Sequence, residues 1–189
     1  MAAIRVLAVS GSLRSGSYNT ALLKCAAEMA PADMIVDVYD ELGRVPPYDD
    51  DVRAVGYPPI VQRLRERVHA ADALIIATPE YNRSFSGVLK NAIDWVSRPP
   101  DQPFAGKPAL VTGAAAGALG TIAANYQLRQ VLSVLGVHVL PGLEFVINHA
   151  GEKFDGDGIL VHQPTRDMLA TRLADLMRLA AALAGRKSD

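Results

Sequence analysis

The sequence holds a single cysteine, Cys25, among 189 residues. An internal disulfide is excluded, and a thiol in an apolar helical stretch reads as a buried structural group. An excess of one charge is also missing. Nineteen Lys and Arg stand against 20 Asp and Glu, for a formal net charge of −1. Without a basic excess there is no electrostatic footprint for nucleic acid. No apolar run reaches the roughly 18 residues of a membrane helix. The opening MAAIRVLAV has no charged segment ahead of an apolar core, so no secretory signal is expected and the cytoplasm is the expected location. His69, His138, His149 and His162 lack metal-ligand spacing and read as surface or helix-end residues, so no metal is expected. Asp49, Asp50 and Asp51 read as a solvated loop. Repeats and low-complexity segments are absent.

What is present is an ordinary globular composition, 50% hydrophobic and 21% charged. The length suits one domain, 1–189, with room for a sizeable core. Apolar strand-like runs alternate with helical patterns. Strands are expected at 5–10, 34–40, 73–79 and 109–114, with a fifth inside HVLPGLEFVIN. The second shows the alternation of an edge strand, while the first and third are apolar enough to be covered on both faces. Helices are expected at 18–30, 58–71, 87–97, 119–135 and 164–184. Ile60, Val61, Leu64 and Val68 form the apolar face of the second. The segment ELGRVPPYDDD reads as a loop.

This alternation predicts an α/β fold, a parallel sheet with helices on both faces. In such sheets ligands bind beyond the carboxyl ends of the strands. The unusual polar loops fall at those ends: 10–19, 79–86 and 113–120. The first, SGSLRSGSYN, joins a strand to a helix. Unpaired amides and the helix dipole make that junction attractive to an anion. Ser12, Ser15 and Ser17 add hydroxyls, and Arg14 adds a charged fork. The set suits a terminal phosphate monoester. It matches neither GxxxxGK[ST] nor GxGxxG, which disfavours a nucleoside triphosphate and a pyrophosphate cradle. The alternative is that Ser17 or Asn19 caps a helix and Arg14 is solvated. In PEYNRSFSG (79–87), Tyr81 offers a flat face, and Glu80 either serves a ligand or binds neighbouring amides. The third loop, TGAAAGALGT, is made of small residues that let backbone approach a planar group.

GSLRSGSYN and PEYNRSFSGVLKNAIDW closely resemble the NADPH-dependent FMN reductase family of the flavodoxin-like superfold. Its pattern is roughly GSLRxxSxN, then PEYNxSxPGxLKNAIDW, then a glycine-rich loop. The resemblance covers about residues 4 to 148. It implies a three-layer sandwich around a five-stranded parallel sheet in the order 2-1-3-4-5. It implies that Ser12, Arg14, Ser17 and Asn19 hold the FMN phosphate, with Tyr18 also among the cofactor-binding residues. Pro79, Glu80, Tyr81, Asn82 and Ser84 would line the flavin, Tyr81 nearest the isoalloxazine. Gly113, Ala114 and Gly117 would approach its pyrimidine edge through backbone atoms. There are departures. Ser86 replaces a proline, Ala115 and Ala116 replace a frequent Ser-Pro pair, and Ala123 stands where many members carry arginine. The choice between NADPH and NADH stays open.

The implied activity is ping-pong hydride transfer from NADPH or NADH to bound FMN. Electrons then pass to a quinone, free flavin, azo compound or chromate, with no side chain acting as nucleophile. The resemblance also implies a homodimer or homotetramer, which the 87–97 and 119–135 helices would support. Trp95 is expected at a helix or subunit interface rather than against the cofactor. Two other readings are a flavodoxin-like electron carrier and a non-enzymatic flavin or phosphate-ligand binding protein. The first expects a strongly acidic surface, which a net charge of −1 does not supply.

Overall fold

The computed structural model describes residues 3–185. The chain runs β1 (Ile4–Ser10), α1 (Tyr18–Glu28), β2 (Met34–Tyr39), α2 (Asp50–Val55), α3 (Pro59–Ala70) and β3 (Ala73–Ala77). There follow β4 (Glu80–Tyr81), β5 (Ser84–Phe85), α4 (Gly87–Val96), β6 (Pro108–Ala114) and α5 (Ile122–Val134). The last elements are β7 (His138–Val139), β8 (Phe145–Ile147) and α6 (Gln163–Gly185). The main sheet has the order β2-β1-β3-β6-β7, with β8 also pairing β6, and every pairing in it is parallel. The expected order 2-1-3-4-5 is therefore observed.

Period-two alternation along β1 separates the two sides of the sheet. Val6 and Ala8 pack into a core with Leu22 and Leu23 of α1 and Leu169 and Leu173 of α6. Leu7 and Val9 pack on the other side with Leu64 of α3, Leu89 of α4 and Leu128 of α5. Each such leucine, fully buried, contributes about 1.5–3 kcal/mol. All five residues of β3 are buried, as a strand covered on both faces requires, while β2 at the edge alternates.

Three expectations needed revision. The fifth strand is split: β7 pairs with the start of β6 and β8 with its end. Between them lie Pro141, which has no amide to donate, and Gly142 at φ 97°. The acidic triplet is a helix start rather than a plain loop. Asp49 caps α2 by accepting the amide of Asp51 at 2.9 Å, and Asp50 and Asp51 sit in the favourable first turn. The second polar loop is itself structured, as the hairpin β4–β5.

Cys25 is buried, as expected. All four histidines are exposed. Trp95 is completely buried, and its indole N–H donates to the Pro46 carbonyl at 2.8 Å. Beside it Asn91 bonds both Pro46 and Tyr48, strapping the 46–48 segment to α4. Arg65 is also buried, and its guanidinium satisfies the carbonyls of Val96, the last residue of α4, and of Asp101 beyond it. Among the described residues no helix is long and apolar enough to cross a membrane.

Candidate functional site

Because β1, β3 and β6 are parallel neighbours, the loops that follow them leave the same edge of the sheet. They are joined at their roots. The Gly11 amide donates to the Ala77 carbonyl at 2.8 Å, and the Thr78 amide to the Thr112 carbonyl at 3.0 Å. Asn19 closes the circle. Its Nδ2 donates to the Ala114 carbonyl at 3.0 Å, and its Oδ1 accepts the Ala114 amide at 2.9 Å. The asparagine expected at a phosphate thus ties the first loop to the third.

In the first loop Ser17 caps α1, its Oγ accepting the Thr20 amide at 3.2 Å. Its hydroxyl proton remains available to another acceptor. Ser10 Oγ accepts from the Ser12 amide and from the Thr20 hydroxyl, bracing the turn from within. The backbone N–H groups of residues 13–19 find no acceptor among the described residues. Arg14 is exposed and forms no hydrogen bond or ion pair with a described residue. Tyr18 instead packs its ring on Phe154, with centroids 5.4 Å apart.

The second loop turns at Asn82 and Arg83, both with positive φ, 52° and 67°. Two left-handed residues make the tight turn that suits the twist of a two-residue hairpin. Asparagine tolerates this region, whereas an arginine there carries strain. Pro79 is buried at the hairpin's root and Tyr81 is 50% exposed. Glu80 is bound to the start of α5. Its Oε2 accepts the Ala123 and Ala124 amides at 2.9 and 3.1 Å, capping α5. Ser84 donates to Gln127 at 2.7 Å. Of the five residues expected to line a flavin here, Glu80 and Ser84 bind protein groups, and Tyr81 borders the open cleft.

The third loop begins at Gly113, where a β-carbon would overlap both the Thr121 hydroxyl and the Thr78 carbonyl oxygen. Only glycine lets these strands and α5 meet so closely. Ala114 is buried, while Gly117 is exposed and its carbonyl accepts the Gly120 and His149 amides at 3.3 Å. Asn148 donates to the Ala118 carbonyl at 3.0 Å and accepts from Lys153 Nζ at 2.7 Å, bracing the loop from outside.

An open cleft of about 330 Å³ lies between the first two loops, bordered by Leu13, Arg14, Tyr81, Ser86, Gly87 and Val88. Ser86 is 1% exposed, and its Oγ has no hydrogen-bond partner among the described residues. A β-carbon on Gly11 would lie 2.6 Å from that oxygen. The donor set of residues 13–19 and the uncommitted guanidinium beside the cleft fit a phosphate-bearing ligand such as FMN. Gln127, on a helix without a motif, carried no sequence signal, and Thr121 stood out only as the last residue of the small-residue loop TGAAAGALGT. Ser10 and Thr20 carried only the generic signal of hydroxyls around a helix start.

Comparison with known proteins agrees with this geometry. The family model described as NADPH-dependent FMN reductase matches residues 4–152. An NAD(P)H-dependent FMN reductase of Pseudomonas aeruginosa is 50% identical over 182 residues, covering 96% of this chain and 98% of that protein. A quinone reductase of Escherichia coli is 41% identical over 172 residues, covering 90% and 92%. Among solved structures, the flavoenzyme NAD(P)H:(acceptor) oxidoreductase FerB of Paracoccus denitrificans superimposes with a TM-score of 0.85. Its identity is 32%, with 95% of this chain and 98% of that chain covered.

Proposed function

The chain belongs to the NADPH-dependent FMN reductase family, and we propose that its three-loop cleft holds FMN and carries reducing equivalents from NADPH or NADH to a small acceptor. It is an FMN-dependent NAD(P)H oxidoreductase of the FMN reductase and quinone reductase kind. When bound, FMN supplies the centre that takes up hydride and gives up electrons.

The protein's own work is binding and orientation. The observation that carries this reading is the run of amides at 13–19 without acceptors among the described residues, beside an Arg14 uncommitted to any of them. Together they offer a phosphate backbone N–H groups, a helix N-terminus and a full charge. Ser12 and Ser17 add hydroxyl donors to that set. Tyr81 offers its ring to the flavin, with Asn82 beside it and Pro79 fixing the hairpin root. Gly113, Ala114 and Gly117 present backbone to the pyrimidine edge. Asn19, Glu80 and Ser84 contribute by holding these loops in place.

The acceptors favoured are quinones and free flavin, with azo compounds and chromate as further candidates. Relatives bearing both FMN reductase and quinone reductase names support the first two. Steady-state rates with NADPH and NADH against a simple benzoquinone test this reading. Parallel double-reciprocal lines are expected for alternate occupancy of one cleft. Intersecting lines would require donor and acceptor to bind together.

The same reading treats 1–189 as one flavodoxin-like domain, places it in the cytoplasm and assembles it as a homodimer or homotetramer. The exposed Tyr126 on α5 and Leu119 just before it support self-association. Light scattering of the purified chain tests the assembly.

A further inference from the structure

Gln127 lies in none of the three loops, yet both ends of its amide are committed to one of them. Its Oε1 accepts the Ser84 hydroxyl at 2.7 Å, and its Nε2 donates to the Arg83 carbonyl at 2.8 Å. Ser84 is the cross-strand partner of Tyr81 in the hairpin. The other arm of the hairpin is held by Glu80 on the first amides of the same helix. The two fastenings bracket Tyr81 and Asn82 from both strands.

We propose that Gln127 is a positioning residue for the cofactor, acting through the place it gives the Tyr81 ring. The proposal rests on the reading that FMN fills the cleft. A two-stranded hairpin alone is marginally stable in water. This one also carries a left-handed arginine, whose strain persists only where the surroundings impose it. The Tyr81 ring is half exposed, so its location depends on where the backbone is held. The only such hold on its partner strand's turn that comes from a side chain of another element is Gln127, among the described residues. Helix α5 starts directly after the third loop. One helix therefore sets the spacing between the hairpin and the loop proposed for the pyrimidine edge.

The test is a double-mutant cycle on FMN affinity, read by flavin fluorescence on apoprotein from wild type, Gln127→Leu, Tyr81→Ala and the double variant. Thermal unfolding of each apoprotein is measured alongside. Gln127, Ser84 and Arg83 are at least partly accessible to water, so the fold should survive with an unchanged midpoint. Gln127→Leu is expected to weaken FMN roughly threefold to tenfold, the effect of one or two modest hydrogen bonds. The double variant should match Tyr81→Ala alone, because the lost hold then has no ring to place. Additive losses, or an unchanged affinity in Gln127→Leu while Tyr81→Ala weakens binding, would overturn the proposal. So would a lowered melting point with unchanged affinity, the signature of a purely structural bond. If Tyr81→Ala itself binds FMN like wild type, the placement of the ring falls, and the positioning role falls with it.

Discussion

Asn19 holds both main-chain groups of Ala114 with a single side-chain amide. The contact spans 95 residues and is buried at both ends. Replacing Asn19 with Ala leaves a buried N–H and a buried C=O without partners, at about 1–3 kcal/mol each. A loss of roughly 2–4 kcal/mol in urea unfolding is expected, together with weaker FMN binding as loops one and three separate. Wild-type stability in Asn19→Ala would show that water replaces the amide, and that the loops need no such tie.

Arg14 stands in the opposite position, with no partner to lose among the described residues. Arg14→Ala should leave unfolding nearly unchanged. It should weaken FMN by roughly 1.5–3 kcal/mol, about tenfold to a hundredfold, through loss of a charge-assisted contact. Calorimetric titration of the apoprotein measures this. An unchanged affinity would remove Arg14 from the site.

Ser86 has an unpartnered buried hydroxyl and a φ of −64°, the value a proline ring imposes. Phe85 before it is in a strand, which a following proline accepts. Ser86→Pro removes the orphan hydroxyl and restricts the unfolded chain, at the loss of a long 3.3 Å bond from its amide to Thr78. A net gain of about 1 kcal/mol is expected, a rise of roughly 2–4 °C in melting temperature. A fall would mean that the ring collides with Gly11.

Gly113→Ala is expected to be severe. The added methyl meets the Thr78 carbonyl, which is backbone and cannot rotate away, as well as the Thr121 side chain. A loss of about 1–3 kcal/mol or more by overpacking, with FMN binding impaired, is the expected result of equilibrium unfolding and titration. Pairing it with Thr121→Ala, which removes the hydroxyl that the added methyl meets, should recover little, because the carbonyl remains. Full recovery would place the clash on Thr121 alone.

The sheet order was legible because burial on both faces leaves its mark on residues such as those of ALIIA, and because α/β alternation admits few topologies. The three loops were legible because their polar and small residues have no use in a core. The break in the fifth strand was less so, since Pro141 and Gly142 sit among apolar neighbours that continue a strand pattern. Which groups Asn19, Glu80 and Ser84 would meet was hidden for a different reason, although binding amides was one of the two uses expected of Glu80. Their partners Ala114, Ala123 and Gln127 lie 43 to 95 residues away, and two of the three offer only backbone. A sequence motif shows which polar groups meet in a cleft. It does not show which of them face the ligand and which hold the walls.

On the proposed function, a nicotinamide nucleotide reduces flavin bound in this cleft. The most direct measurement mixes anaerobic FMN-loaded protein with NADPH, and separately with NADH, and follows the visible flavin absorbance by stopped flow. Rapid bleaching is expected with at least one donor, with return of the colour when a benzoquinone is added. Persistent colour with both donors, while the flavin is demonstrably protein-bound, would contradict that function and leave a carrier that takes its electrons from another protein.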